Sequence, residues 1–378
     1  MPGQAISIDA GATDPIAALK RASSMRNDTR VRRIALIAAV LAAGVAAAVV
    51  APGIAQKFGD AFVRALHADP GWVLGGVGFE LASFAGYIAL FWLVASRATP
   101  RVGLRASGEI ALASTAATRL LPTAGAGGAA LTFWSLRRAG QENGGATRTL
   151  LSFLVVLYSV FLGSIVVAGT LLATGAVASH VPFELSAVPA AAALVGIALA
   201  LVFALRHDPA AVPVGRLSVA SHALGGAVRE AMSIVRRPDG RLMGAVAWWG
   251  FDLLVLWATF NAFGKPPAAT VLVLGYFLGQ VANTVPLPGA ASGGMVGAFL
   301  ALGMPAVVVL PAVLAYRAIA IWTPVPAGAA ALAGLRRRVR VWAVEDGLDE
   351  GEAEEAAVIP LPTRVPAPAH GAAMPLAA

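Results

Sequence analysis

The sequence predicts an all-α fold: a polytopic transmembrane helical bundle with about six full spans and two re-entrant broken-helix hairpins of opposite orientation, an inverted repeat. Three observations predict it. Hydrophobic residues make up 58% of the 378-residue chain and charged residues 13%, with a mean hydropathy of +0.76, far outside the range of soluble domains. Several apolar runs reach the ~20 residues that cross a bilayer as helix, and the short alternating segments of a transmembrane β-barrel are missing. Finally, two Pro/Gly-rich stretches of related pattern interrupt apolar runs in the two halves of the chain, as broken helices do in transport folds built from inverted repeats.

The elements follow from charge and parity. Residues 1–33 are polar and end in Arg26, Arg30, Arg32 and Arg33. That charged stretch is longer than a signal peptide's, so it reads as a cytoplasmic N-terminal segment before a first span over 34–51. A second span over 72–95 is followed by Arg97, Arg101 and Arg105, and positive charge marks the cytoplasmic side. The segment 108–136 begins after that cluster and ends at Arg137 and Arg138. Both of its ends are basic, so a hairpin that enters from the cytoplasm and turns back fits better than a single crossing. Spans over 150–172 and 187–205 follow, separated by residues 174–186, which contain no Lys or Arg and read as outside.

Residues 206–241 carry Arg206, Arg216, Arg229, Arg236, Arg237 and Arg241 and read as a cytoplasmic segment. Within them Leu217, Leu224, Val228, Ala231 and Val235 recur at helical spacing. The helix lies on the inner membrane surface or packs on the protein's own loops. A span over 242–263 then leads out to Lys265, and the second broken segment, 268–302, starts outside. The last apolar stretch, 305–335, ends in Arg336, Arg337, Arg338 and Arg340, which belong inside. The second hairpin therefore returns outside, opposite to the first. The transmembrane domain spans 34–338, and residues 339–378, acidic and then Pro/Ala-rich, read as a disordered cytoplasmic tail. Both termini are expected in the cytoplasm of a cell (inner) membrane protein.

Ionisable residues inside apolar segments are the best site candidates, because each costs several kcal/mol when it faces lipid. Four stand out: Glu80, Arg119, Asp252 and Arg317. An Arg facing a cavity suits phosphate, since its planar fork donates two parallel hydrogen bonds. A carboxyl such as Glu80 or Asp252 can carry a coupling proton when burial disfavours its charge. The same four residues also suffice for two buried ion pairs that fix helix packing. Gln280 and Asn283 lie three apart on one helical face and can hold a head group or bond across helices. Around the breaks, Pro122 is followed by Gly125, and Pro286 and Pro288 by Gly289. Such glycines allow a tight turn, and a helix restarting there aims free N–H groups at an anion; close helix packing is the alternative.

Several function classes are excluded. The chain has no cysteine, so it has no disulfides, thiolate catalysis or Cys-ligated metal. Its five histidines lie in loops and the tail, with none of the zinc, Walker or nucleophile-elbow motifs. The sequence predicts no catalytic residue, no metal and no cofactor, and hence not an enzyme. The net charge of +8 sits beside apolar runs, which suits loops facing anionic lipid and not nucleic acid.

At these residues the chain resembles the lysylphosphatidylglycerol synthase transmembrane-region family of flippase-like membrane proteins. The resemblance covers roughly residues 30–338. It rests on Leu121-Pro122-x-x-Gly125, on Pro286-Leu287-Pro288-Gly289 with glycines after it, and on Arg317 followed by Pro324, Pro326 and Gly328. The family's second motif continues with Gly-x-Gly and then Glu. Here Ala290 takes the next position and the Glu position falls near Met295, so that Glu has no counterpart. The resemblance implies translocation of a membrane lipid with an anionic or zwitterionic head group, without lipid modification. Movement would run downhill or couple to an ion gradient. The rival expectation is a membrane scaffold that recruits an envelope-assembly enzyme as its partner.

Overall fold

The structure, a computed structural model, describes residues 63, 68–120, 125–178, 180–210, 215–284 and 289–359. The N-terminal segment, the expected first span at 34–51, and Pro122, Pro286 and Pro288 lie outside the described residues. Every regular element among the described residues is helical. In chain order these are α1 (Pro70–Ala98), α2 (Leu104–Leu120), α3 (Ala126–Arg138), α4 (Asn143–Ala173), α5 (Phe183–Arg206) and α6 (Arg216–Val235). A 3-10 turn, Gly240–Leu242, leads into α7 (Met243–Phe263). Then come α8 (Ala269–Val281), a second 3-10 turn (Ala282–Thr284), α9 (Ala290–Ala301), α10 (Ala306–Trp322), α11 (Pro324–Glu345) and α12 (Glu350–Ala356).

Among the described residues, five stretches are long and apolar enough to cross a membrane: Pro70–Ala98, Asn143–Ala173, Phe183–Arg206, Gly240–Phe263 and Ala306–Glu345. They fall where the sequence places all but the first of its spans. The chain is therefore built as a membrane protein. Its last stretch contains Pro324, which donates no backbone hydrogen bond, yet Thr323 before it keeps helical angles (φ −65°, ψ −49°).

Both Pro/Gly stretches separate two helical arms. α2 ends at Leu120 and α3 starts after Gly125; the 3-10 turn ends at Thr284 and α9 starts after Gly289. The two glycines have nearly the same left-handed geometry, φ 85° and ψ −9° at Gly125 and φ 80° and ψ −8° at Gly289. A Cβ there would cost about 1–2 kcal/mol. The arms then close on each other through small residues. A Cβ at Gly128 would collide with the Thr118 side chain and the Ser114 carbonyl, and one at Gly294 would collide with Ala282. Thr132 adds a hydrogen bond across the first pair, donating its hydroxyl to Ser114 Oγ at 2.9 Å.

The bundle is organised around α1 and α7, which pack along each other. They meet at glycines: a Cβ on Gly86 would lie 2.9 Å from the Gly244 carbonyl oxygen, and one on Gly244 would collide with the Gly86 carbonyl. Ser83 Oγ donates to the Trp248 carbonyl at 2.8 Å across the same contact. At the Arg-rich end the Arg241 guanidinium covers the Trp92 ring at 4.5 Å while its fork holds Asp239, whose carboxyl is pushed down to about 2 by those hydrogen bonds. Two further contacts are reciprocal. α2 packs on α11 and α8 on α4, so the first arm of each hairpin rests on a long helix of the other half. A bidentate pair, Arg338 to Glu109 at 2.6 and 2.9 Å, ties α11 to α2.

Two sequence expectations are corrected or sharpened here. The tail expected to be disordered from residue 339 is helical to Glu345 and again over Glu350–Ala356. Asp349 and Glu352 form a reciprocal capping box at the start of α12, Ala353 and Ala356 bury against Ala343, and Arg101 holds Asp346 at 2.6 Å. The acidic residues are helix-start residues there. The amphipathic α6 buries Ala227, Val228, Ala231 and Ile234 and packs on α4 and α5, while Leu217, Val219 and Val235 stay exposed. It rests on membrane-crossing helices as well as presenting apolar ends outward.

The glycine contact at the α1–α7 crossing yields a prediction. Gly→Ala inside a helix ordinarily favours the fold by up to about 1 kcal/mol. At Gly244 the collision outweighs this, and overpacking costs about 1–3 kcal/mol. Thermal unfolding in detergent should show Gly244→Ala melting lower than wild type. Gly163→Ala, where a Cβ meets nothing within 4 Å, should melt at the same temperature or higher.

Candidate functional site

A fully buried acid, Asp252, sits near the middle of α7 and is 1% exposed. Burying a carboxylate is tolerable only when donors replace its water. Three do so at one oxygen. Tyr276 on α8 and Tyr316 on α10 both donate their hydroxyls to Asp252 Oδ2, Tyr316 at 2.9 Å. Gln280 Nε2 approaches the same oxygen at 3.4 Å and the Tyr316 hydroxyl at 3.2 Å. Tyr276 and Gln280 sit one turn apart on α8, so a single helical face delivers both. Tyr276 and Tyr316 are fully buried, and their rings meet edge-on at 6.4 Å between centroids. Asp252 Oδ1 has no partner among the described residues.

The other three charged candidates converge on the same place. Glu80 on α1 is 1% exposed and adjoins Asp252, and neither of its oxygens accepts a hydrogen bond from a described residue. Arg119, half-buried at the end of α2, acts electrostatically on Asp252, Tyr316, Glu80 and Tyr276. Arg317 on α10 is 8% exposed; its Nε and Nη2 have no partner among the described residues, and it too acts on Asp252, Tyr276 and Arg119. The ion pairs of the described residues all lie elsewhere. The two neutralising pairs that the sequence permits are therefore not formed as contacts. The tyrosine hydroxyls take the place on Asp252 that an arginine fork would otherwise occupy.

Of the remaining candidates, Gln280 joins this cluster and Gly125 and Gly289 start α3 and α9. Asn283 lies in the 3-10 turn after α8. Met295, at the family's Glu position, is fully buried on α9. A Cβ on Gly279 would lie 2.6 Å from the Met295 Cα, so α8 and α9 touch there, with the apolar Met295 side chain at the position.

Sequence reasoning missed Tyr276 and Tyr316. The available signals were the i,i+4 pairing of Tyr276 with Gln280 and the Tyr316-Arg317 neighbours inside an apolar run. It also missed that His207 and His222, read as loop residues, meet at the α5–α6 junction with ring centroids 4.4 Å apart and planes tilted by 57°. Burial first, then His222 and the nearby cations Arg229 and Arg148, hold His207 below the ordinary imidazole range. Beside the cluster, an apolar groove of about 240 Å³ runs between α1, α2 and the α10–α11 junction, lined by Leu81, Phe84, Ile88, Leu112, Pro324 and Ala327. Phe84 and Ile88 follow Glu80 at one-turn steps, and Leu112 lies two turns back from Arg119, so the groove leads away from the charged cluster along the same helix faces.

Removing a donor to Asp252 leaves a buried charge short of a hydrogen bond. Tyr316→Phe and Tyr276→Phe should each lower stability by about 1–3 kcal/mol, and the double variant should depart from additivity, because both hydroxyls share one acceptor. Thermal or denaturant unfolding of the four proteins measures this; additive, negligible effects would show that the hydroxyls do not support Asp252. No protein-family model matches the chain, and no protein of curated function matches it.

Proposed function

We propose that this membrane protein moves a polar lipid, anionic or zwitterionic at its head group, between leaflets without modifying it. The observation that carries this reading is Arg317, buried with two guanidinium nitrogens unpartnered among the described residues. A buried cation with free donors costs several kcal/mol unless a ligand visits it. A phosphate meets both needs, because it neutralises the charge and accepts the fork. Arg119 supplies a second cation from the opposite half of the chain, at the break of the first hairpin. The groove at Leu81, Phe84 and Leu112 suits an acyl chain whose head group is at the arginines.

In this reading the helical hairpins α2–α3 and α8–α9 are re-entrant and enter from opposite faces. Their breaks stand near mid-membrane, where irregular backbone is tolerated only beside protein or a wet cavity. Six spans and cytoplasmic termini follow from the arginine distribution. The scaffold reading draws on a different observation, the close packing of Tyr276, Tyr316 and Asp252, which would hold the helices together without any ligand.

Arg→Lys separates the two, since lysine keeps the charge and loses the planar fork. Reconstituted in liposomes, Arg317→Lys should slow movement of fluorescent phosphatidylglycerol by roughly tenfold or more, the loss of one charge-assisted hydrogen bond, with little change in melting temperature. Arg119→Lys should act in the same direction. Full flipping by both variants would return the arginines to a packing role and favour the scaffold.

Orientation is tested by labelling, and the cysteine-free chain gives a clean background. Cysteine at position 181, between α4 and α5, should react with an impermeant reagent from outside intact cells. Cysteine at position 230, on α6, should react only after lysis. The reverse pattern would overturn the topology.

A further inference from the structure

We propose that Glu80 and Asp252 together hold one exchangeable proton, carried on Glu80 and donated toward Asp252 Oδ1, and that this proton crosses the membrane with the anionic head group, one for one. The inference rests on the translocation reading above.

Three buried carboxyl oxygens have no partner among the described residues: Glu80 Oε1, Glu80 Oε2 and Asp252 Oδ1. They belong to two side chains that adjoin. A single proton accounts for the pair. On Glu80 it turns one oxygen into a donor, gives Asp252 Oδ1 its missing hydrogen bond, and removes the repulsion of two neighbouring carboxylates. The proton belongs on Glu80 because the donors are unevenly shared. Asp252 Oδ2 already receives Tyr276, Tyr316 and, more weakly, Gln280, so that carboxyl has donors of its own. Glu80 receives none of them.

Charged and polar groups come to the pair from several helices. α1 brings Glu80, α2 Arg119, α7 Asp252, α8 Tyr276 and Gln280, and α10 Tyr316 and Arg317. α4 brings Tyr158, which acts on Tyr87. With both carboxyls ionised, the two acids and two arginines sum to zero. With one proton bound the cluster is left with a single positive charge, and a phosphodiester monoanion restores neutrality. When the anion leaves, the uncompensated charge favours release of the proton from Glu80 to water on the same side. Occupied and empty states are then both neutral, the condition under which a charged cargo can cross a low-dielectric interior. No bond other than the O–H of Glu80 is made or broken.

The test uses the full chain in phosphatidylcholine vesicles containing fluorescent-tailed phosphatidylglycerol and a trapped pH dye, together with infrared spectra of the same protein in detergent. With phosphatidylglycerol added to the detergent, the wild type should show a protonated-carboxyl C=O band near neutral pH that shifts in deuterium oxide and is lost in E80Q. A gradient of one pH unit should drive about a tenfold asymmetry of the labelled lipid between leaflets, with proton flux following the lipid; E80Q should abolish the asymmetry and the flux. Absence of the band in the wild type overturns the proposal whatever the vesicles do, and does not depend on E80Q folding. A band accompanied by lipid movement indifferent to the gradient overturns the coupling while the translocation reading stands. A band in a protein that moves no lipid under any gradient overturns translocation and coupling together, and leaves only the proton site.

Discussion

A carboxylate taken out of water costs several kcal/mol unless donors replace its hydration, and Asp252 meets that demand with neutral groups. Tyr276, Tyr316 and Gln280 reach it from α8 and α10, so the hydrogen bonds that dress the charge also bring three helices to one point. The choice of partner decides what is left over. Had an arginine fork dressed Asp252, charge and donors would have been consumed together. With hydroxyls doing so, Arg119 and Arg317 stay outside any ion pair with it, and Arg317 Nε and Nη2 have no partner among the described residues. The cluster thus dresses one oxygen of one acid and leaves both arginines outside any ion pair among the described residues.

Such placement requires helices that approach closely and stay in register. In a bilayer the lipid chains are as apolar as leucine, so helices associate through small residues and polar bonds and not through the hydrophobic effect. Gly86 and Gly244 bring α1 against α7, which sets Glu80 and Asp252 beside each other further along the same two helices. Gly128, Gly279 and Gly294 do the same for the hairpin arms. The left-handed Gly125 and Gly289 turn the chain at matched points. The frame is thus made by residues with almost no side chain, and the site by the few long polar ones it holds in place.

This division explains what was legible in the sequence. A charge in an otherwise apolar run stands out on hydropathy alone, so Glu80, Arg119, Asp252 and Arg317 could be picked out, and the matched Pro/Gly stretches mark where helices stop and restart. Which charges face each other depends on packing between helices distant in the chain, and the permitted ion pairs gave way to tyrosines. Tyr276 and Tyr316 were hidden because a buried Tyr reads as one more aromatic until its hydroxyl is given a partner. The helical part of the tail was hidden by composition. An acidic run resembles a disordered segment, although Asp349 and Glu352 already have capping-box spacing and Ala353 and Ala356 fall on one face. His207 and His222 meet only because α6 folds back on α5.

The two halves of the site are alike in charge and unlike in dress. Each contributes one acid and one arginine: Glu80 and Arg119 from the first, Asp252 and Arg317 from the second. Counted back from the matched glycines, Tyr276 lies thirteen residues before Gly289, and Leu112 lies thirteen before Gly125; Gln280 and Ala116 each lie nine before. The second half therefore has two hydrogen-bonding side chains where the first has two apolar ones, and Leu112 lines the groove instead of dressing an acid. One acid is held by hydrogen bonds from its own half of the chain, while the other is buried beside it without a hydrogen-bond partner among the described residues. In a symmetric pair both carboxyls would be structural or both would be free. The asymmetry separates the two acids: Asp252 ties three helices together, and Glu80 is buried beside it with no hydrogen-bond partner among the described residues.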